Sequence, residues 1–396
     1  MIKLYTSFTK EIDSPKDAIK EILEQLNPEK NMLKNTIGII HFYHDFAKAG
    51  IWEQFLDVLP FELAGCASSY TGASGQHGDV AVSVTMLTSD DSYFVVRTID
   101  DLDTKTIDQV NKEVTHLYGE LCAEEKPKMI MPFLPPIPHC SITNLYFTMN
   151  GFDKDVFLFG MQAFNITGSY DTNFVFANSK MSVSMCAFVA FYGNIKPDFH
   201  IGSSFLDENS LWEEAVITES DGSLLKSING ISAVEYFKRK GIISSKNKGA
   251  GIMTIPALIT YQNGTKTGCA FLGIVKDTEY VFAARTLQDG AKITFTDMEG
   301  EKILTSAEAV MEEINTMKRN DLFICISAAR AWSLGSNFFA ELQKIYECAQ
   351  KYEKENGEPL RYSAVYTGSE LCPIRDKLGN YKNMPHNYTF TICSLN

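Results

Sequence analysis

Two periodicities take turns along this chain. Ile2 to Ser7 reads as a strand, and Ser14-Pro15 opens a helix, because the serine can cap and proline suits the first helical position. Ala18, Ile19, Ile22 and Leu26 then share one face, and Asn27-Pro28 closes the run. Thr36 to Phe42 predicts the next strand. A short helix follows, with Trp52, Phe55 and Leu59 on one side. A β-α-β-α opening predicts a mixed sheet with covering helices.

Phe61 to Ala64 runs into Gly65-Cys66-Ala67-Ser68-Ser69 and then a loop with Gly72, Gly75 and Gly78. Asp79 to Leu87 and Tyr93 to Ile99 flank the turn cluster Ser89-Asp90-Asp91-Ser92, which predicts a hairpin. Ile107, Val110, Val114, Leu117 and Leu121 fall at spacings of 3, 4, 3 and 4, the clearest helical face in the chain. Pro127, Pro132, Pro135, Pro136 and Pro138 predict an irregular segment around a short apolar core at Met129 to Met131. From Val156 to Phe205 the pattern is almost all β, in four runs: Val156 to Phe164, Thr172 to Phe176, Met181 to Tyr192 and Phe199 to Phe205. Val216 to Ile228 predicts a hairpin turning at Asp221-Gly222, and Val234 to Lys240 a short helix.

Lys246-Asn247-Lys248-Gly249-Ala250-Gly251 reads as a linker, and the character of the chain changes near it. The boundary is placed at residue 235, giving domains 1–235 and 236–396. Beyond it, strands are predicted at Ala257 to Tyr261, Cys269 to Val275, Tyr280 to Ala284 and Lys292 to Thr296. Ser306 is placed as the cap of a helix with Ala307, Val310, Ile314 and Met317 on one face. Leu322 to Ile326 and Tyr362 to Tyr366 are strands, separated by a helix that follows Ser336. The fold class is α/β (mixed α+β): two tandem layered domains with largely antiparallel or mixed sheets covered by helices. No tandem repeat is visible.

Composition narrows the function. The 396 residues are 45% hydrophobic and 21% charged, the range of an ordinary globular protein. A formal charge of −13 argues against nucleic acid and against an anionic membrane surface. No apolar run reaches spanning length, and Met1-Ile2-Lys3-Leu4-Tyr5 has no signal-peptide pattern, so a cytoplasmic protein is expected. The nine cysteines include no Cys-x-x-Cys pair, which removes zinc ribbons and thioredoxin-type motifs as readings.

Candidate chemistry gathers where strands end. Arg330 follows the strand Leu322 to Ile326, and Glu341 lies at the edge of the apolar face made by Phe338, Phe339, Leu342, Ile345, Tyr346 and Ala349. A half-shielded carboxylate wants a partner, and Arg330 is placed to supply one; the pair can be structural or can face a ligand. Glu370 follows a strand-end glycine, and Asn387 opens the last strand. Together with Arg330 they offer a cation, an anion and an amide to one small zwitterion, or else tie the last two strands together. Cys66 sits among small residues after a strand. As a nucleophile it needs a base, and His77 is the only histidine close by on its C-terminal side. Gly72-x-x-Gly75-x-x-Gly78 is not the dinucleotide fingerprint, and a flexible loop is the plainer reading. No catalytic constellation is identified, so an enzyme is not expected.

The run Cys325…Arg330…Leu334-Gly335, Glu341, Gly368…Glu370 and His386-Asn387…Thr389 resembles the C-terminal half of the FIST family of sensory proteins. The β-α-β start, the Gly65-Cys66-Ala67-Ser68 turn and Asp221-Gly222…Asn229-Gly230-Ile231-Ser232-Ala233…Tyr236 resemble its N-terminal half. One departure is Ala67, where the family usually has a small hydroxyl residue. The resemblance implies a sensory module for a small ligand, with amino acids or their derivatives the usual proposal, and a signalling protein acting in trans. The candidate ligand-binding residues are therefore Cys66, Ser68, Arg330, Glu341, Glu370 and Asn387. No metal or cofactor is assigned. Haem, also proposed within the family, has His41, His44, His200 and His386 as candidate ligands, and a Cys66-dependent hydrolase is the remaining alternative.

Overall fold

Strands that are apolar on both faces need cover on both sides, and this chain answers with stacked sheets. The computed structural model describes residues 2–137, 145, 148–149, 152–166, 170–204, 213–243, 252–262, 264, 266–375 and 380–395. Its fold is mixed α/β, with four sheets among the described residues. The first sheet runs, in spatial order, Lys3–Thr9, Val82–Ser89, Asn35–Phe42, Glu62–Ala67, Val175–Ala177 and Lys180–Ser182. Asn35–Phe42 alternates by period 2. Ile37 and Ile39 enter a core shared with the other sheets, while Ile40 and Phe42 point to the helices Pro15–Leu26 and Ile51–Val58.

The third sheet repeats that topology in the second half of the chain. Asp198–Ser203 pairs antiparallel with Thr389–Ser394, which pairs antiparallel with Asp321–Ser327, which pairs parallel with Arg361–Thr367. The first sheet has the same order and orientations in Lys3–Thr9, Val82–Ser89, Asn35–Phe42 and Glu62–Ala67. The outer face of this third sheet is covered by the helices Gly300–Met317 and Ala340–Asn356. The second sheet lies beneath both, holding Met129–Leu134, Cys186–Gly193 and Ser92–Ile99. Its far face is closed by the helix Ile107–Leu121, whose Val110, Val114, Leu117 and Leu121 are buried. Each such burial is worth about 1.5–3 kcal/mol before entropy is counted.

Both repeats lend a hairpin across the molecule. Thr71–Ala73 and Gln76–Gly78 form a hairpin that extends the third sheet, with Ala364 opposite Gly72. Glu370–Arg375 and Tyr381–His386 form a second hairpin that extends the second sheet through Gly160–Gln162. The fourth sheet is built only from strands between Ala215 and Phe295 and has its own core of Ile217, Leu225, Phe237, Phe271 and Phe295, among others. It is inserted between Asp198–Ser203 and the helix Gly300–Met317. The cut at residue 235 passes through this inserted sheet.

Several local expectations change. Val82–Ser89 and Ser92–Ile99 are joined by a tight turn but do not pair with each other. The first already has partners on both sides in the first sheet, so the second crosses to Cys186–Gly193. The glycine-rich stretch after Cys66 is a hairpin on the third sheet rather than a free loop. Met129–Leu134 is a buried strand despite Pro132. Ser306 is interior to its helix rather than its cap, because the helix starts at Gly300. The Lys246–Gly251 stretch and Phe205 lie outside the described residues. The capped helix Pro15–Leu26, the capping-box helix Ile107–Leu121 and the hairpin turning after Asp221 match their sequence signals.

Gly65 lies opposite Ile40 in the parallel pair, and a Cβ there would sit 1.8 Å from the Ile40 carbonyl oxygen. Backbone on backbone has no soft side chain to yield. Gly65→Ala is expected to lower stability by about 3 kcal/mol, read from the urea midpoint; a loss below about 1 kcal/mol would contradict this packing.

Candidate functional site

The parallel strands Asp321–Ser327 and Arg361–Thr367 end side by side, at Ser327 and Thr367. In open α/β sheets such carboxyl ends are where ligands bind. Around this edge Thr367, Ser369, Glu370, Asn387 and Thr389 are all buried. The chain reaches them by two sharp changes of direction, at Gly368 and at Tyr388, whose φ is 61°. The turn at Tyr388 sets its neighbours Asn387 and Thr389 against different partners.

Arg330 and Glu341 are both fully buried and form an ion pair. Nε and Nη2 of Arg330 donate to Glu341 Oε1 at 3.0 and 2.8 Å. Nη2 also donates to the Ile303 carbonyl and to Ser306 Oγ, both at 2.8 Å, and Nη1 donates to the Tyr388 carbonyl at 3.2 Å. The arginine thus joins two helices and the turn before the last strand. Burial pushes the Glu341 carboxyl up, against the pull of Arg330. Glu341 was expected at the edge of its helix's apolar face; the structure encloses it completely.

Glu370 is held differently. Thr367 Oγ1 donates to its Oε1 at 2.6 Å, and Thr389 Oγ1 donates to its Oε2 at 2.8 Å. Burial raises its pKa to about 8, and the two threonine hydrogen bonds and the charges of Arg330 and Arg285 oppose that shift without reversing it. Asn387 links two elements: its Nδ2 donates to Ser369 Oγ at 2.9 Å, and its Oδ1 accepts from Arg285 Nη2 at 3.3 Å. Ser369 Oγ in turn donates to the His386 carbonyl at 2.9 Å.

Arg285 escaped the sequence reading, as did Thr267, Ser369 and Thr367, while Thr389 was quoted in the family-like run without a role. Arg285 is 2% exposed and comes from the inserted sheet, just past Val281–Ala283. Nη1 donates to Thr267 Oγ1 at 2.7 Å. Its only signal in the sequence was an arginine following the apolar run Val281 to Ala284.

Cys66 and Ser68 lie on the other half's strand. Ser68 Oγ is 2.8 Å from the carbonyls of both Tyr70 and Tyr366, so it stitches the first sheet to the residue before Thr367. Cys66 Sγ lies 3.8 Å from Nδ1 of His41, its register partner across the parallel pair. The base beside Cys66 is therefore His41 and not His77, which sits on the hairpin at Gln76–Gly78 against Phe339. Burial holds His41 down at about 4 and pushes the Cys66 thiol far up. A neutral imidazole beside a protonated, enclosed thiol lacks the thiolate that nucleophilic attack requires.

The four histidines named for haem are each engaged by protein. His41 Nδ1 is 3.2 Å from the Cys66 carbonyl, and His386 Nε2 is 2.9 Å from that of Cys372. His44 Nδ1 meets Asn165 Nδ2 at 2.7 Å, and His200 lies between Asp198 and Glu313. Two open surface grooves, of about 590 and 560 Å³, are lined by none of the four. Among the described residues no three His, Cys, Asp or Glu side chains are grouped to hold a metal, and no helix is long and apolar enough to cross a membrane.

A family model described as the FIST N domain matches residues 36–231. No curated protein matches the chain.

Two outcomes follow from these charges. Arg330→Ala leaves Glu341 buried without its cation and is expected to cost about 3–5 kcal/mol. Chemical denaturation should show it, and Arg330→Met with Glu341→Leu should recover much of the loss. Glu370 has a folded pKa raised from 4.5 to about 8, so between those values the native state holds more protons than the unfolded one. Its contribution to stability is present below pH 4.5 and is lost as pH rises toward 8. The stability difference between the natural protein and Glu370→Gln, followed by melting temperature from pH 5 to 8, should therefore shift steadily against the natural protein. A pH-independent difference would show that Glu370 is ionised throughout.

Proposed function

The chain belongs to the FIST family, carrying the FIST N domain at residues 36–231, and from that premise we propose a cytoplasmic sensor for an amino acid or a related small polar metabolite that signals to a partner protein in trans. The FIST domain is a small-ligand sensory domain of signal transduction. The ligand and the partner are this reading's own additions. One observation carries it: polar side chains from separate segments converge at the carboxyl ends of the central parallel strands, with Glu370, Ser369 and Asn387 on one side and Arg285 on the other.

That set suits a small polar molecule. It provides a neutral carboxyl, an amide, hydroxyls and a guanidinium within one enclosed region, which is the mixture that fixes the orientation of a compact ligand. Aromatic rings stand beside it. Tyr70 packs against Tyr366 and Phe338 at 5.6 and 5.1 Å between ring centres, and Phe164 meets Trp332 at 5.2 Å. A non-catalytic role accords with the neutral Cys66–His41 pair. A trans-acting partner accords with the two hairpins that exchange between halves, because a shift at the strand ends reaches both sheets.

Calorimetric titration of the full chain with a panel of L-amino acids and their keto-acid and amide derivatives tests the reading. At least one member should bind, and Asn387→Ala should weaken it by about tenfold or more, equivalent to about 1.4 kcal/mol, while the protein still melts cooperatively. No heat with any member of the panel would overturn it.

A further inference from the structure

Arg285 is a buried cation that no acid balances among the described residues. It forms no ion pair with a carboxylate among the described residues, whereas Arg330, equally enclosed, has Glu341 at 2.8 Å. Thr267 Oγ1 and Asn387 Oδ1 accept from its Nη1 and Nη2, Cys269 and Tyr261 also lie within hydrogen-bonding reach, all four are uncharged groups, and its Nε has no acceptor within 3.5 Å among the described residues. A guanidinium cannot escape by losing its proton. Enclosing an unpaired charge is costly, and buried charges are normally paired.

The acids nearby do not supply the missing charge. Glu370 makes no ion pair with Arg285: its oxygens are taken by Thr367 and Thr389, and burial raises its pKa to about 8. Burial pushes Cys269 up to about 12 and raises Tyr261 as well, against the pull of Arg285, so both meet the guanidinium as neutral groups. Arg285 also stands at a junction. Ala270, from the inserted sheet, packs with Ala329 and Tyr388 of the rest of the molecule, and the Tyr388 hydroxyl donates to the Met253 carbonyl at 2.6 Å. Thr267 and Arg285 belong to the inserted segment, and Asn387 to the other side.

We propose that Arg285 is the anion-recognition residue of the site, taking the carboxylate of a small organic acid on its Nε edge and thereby fastening the inserted sheet to the strand ends. The assignment rests on the sensor reading above and narrows it. The ligand must carry a carboxylate, and the inserted sheet is the element whose attachment responds to it. Arginine suits this role because its planar fork meets a carboxylate in two parallel hydrogen bonds.

The test uses the full chain with acetate, pyruvate and glycine as carboxylate probes, acetamide as a neutral match for acetate, and phosphate as a different anion. Acetate, pyruvate or glycine should raise the melting temperature, while acetamide at the same concentration should not. Arg285→Met should abolish that response. It should also leave the ligand-free protein as stable as the natural one or more so, because an unpaired buried charge is gone; a purely structural arginine would give the opposite sign. The proposal is overturned if acetamide matches acetate, if phosphate alone is effective, or if Arg285→Met lowers ligand-free stability while the carboxylates still act. These results separate it from the broader reading. Amino acids that bind Arg285→Met as tightly as the natural protein remove the Arg285 role and keep the sensor. Carboxylates that act while no amino acid binds keep Arg285 and remove the amino-acid reading.

Discussion

The contact on which the site depends is the enclosed pair of Arg330 and Glu341. A charge pair taken out of water recovers its desolvation cost only when the remaining donors are also satisfied. Arg330 meets that condition with the Ile303 and Tyr388 carbonyls and Ser306 Oγ. The geometric consequence exceeds the energetic one. By holding the Tyr388 carbonyl, Arg330 stabilises a non-glycine residue in a left-handed turn, a conformation that costs energy unless its surroundings enforce it. That turn sends Asn387 toward Arg285 and Thr389 toward Glu370. The inserted sheet is tied in at the same residue, through the Tyr388 hydroxyl and Met253.

The repeated topology explains why such a knot is needed. Each half contains a four-strand unit of the same order and orientation, and each sends a hairpin out of its own sheet. Thr71–Gly78 completes the sheet of the second unit, and Glu370–His386 completes the sheet beneath both. The first sheet is complete within its own half, whereas the second and third sheets each take a hairpin from the other half. The strand end near Thr367 is tied to the far unit by Ser68 Oγ, which donates to the carbonyls of Tyr70 and Tyr366. Interdigitated strands make a rigid transmission, because packed sheets shift between discrete arrangements rather than deforming smoothly.

What could be read in the sequence was what local chemistry decides. The helix Ile107–Leu121 announced itself by spacing, and the turn after Asp221 by its glycine. Arg330 and Glu341 were found as a pair because both flank one strand-helix connection. The pairing of Ser92–Ile99 was illegible for a physical reason: whether adjacent strands pair depends on which edges are already taken, and the edges of Val82–Ser89 are taken by Lys3–Thr9 and Asn35–Phe42, one of them far away in sequence. The repeat itself was hidden because it is a repeat of strand order, with the fourth sheet inserted inside the second copy. Arg285 was missed for the same reason, since its neighbours Thr267 and Asn387 are 18 and 102 residues distant.

Two buried arginines and two buried glutamates thus occupy one region with opposite arrangements. Arg330 and Glu341 neutralise each other, and the remaining contacts of Arg330 are to carbonyls and a hydroxyl that fix the fold. Arg285 and Glu370 form no ion pair: burial raises the pKa of the glutamate, whose oxygens are held by two threonine hydroxyls, and the arginine faces uncharged groups. Had selection favoured stability alone, the second pair would have closed like the first or been replaced by apolar side chains, because an open buried charge is the costlier arrangement. A site that must receive a charged ligand has to keep a charge unanswered until the ligand arrives, and Arg285 is the side chain that does so.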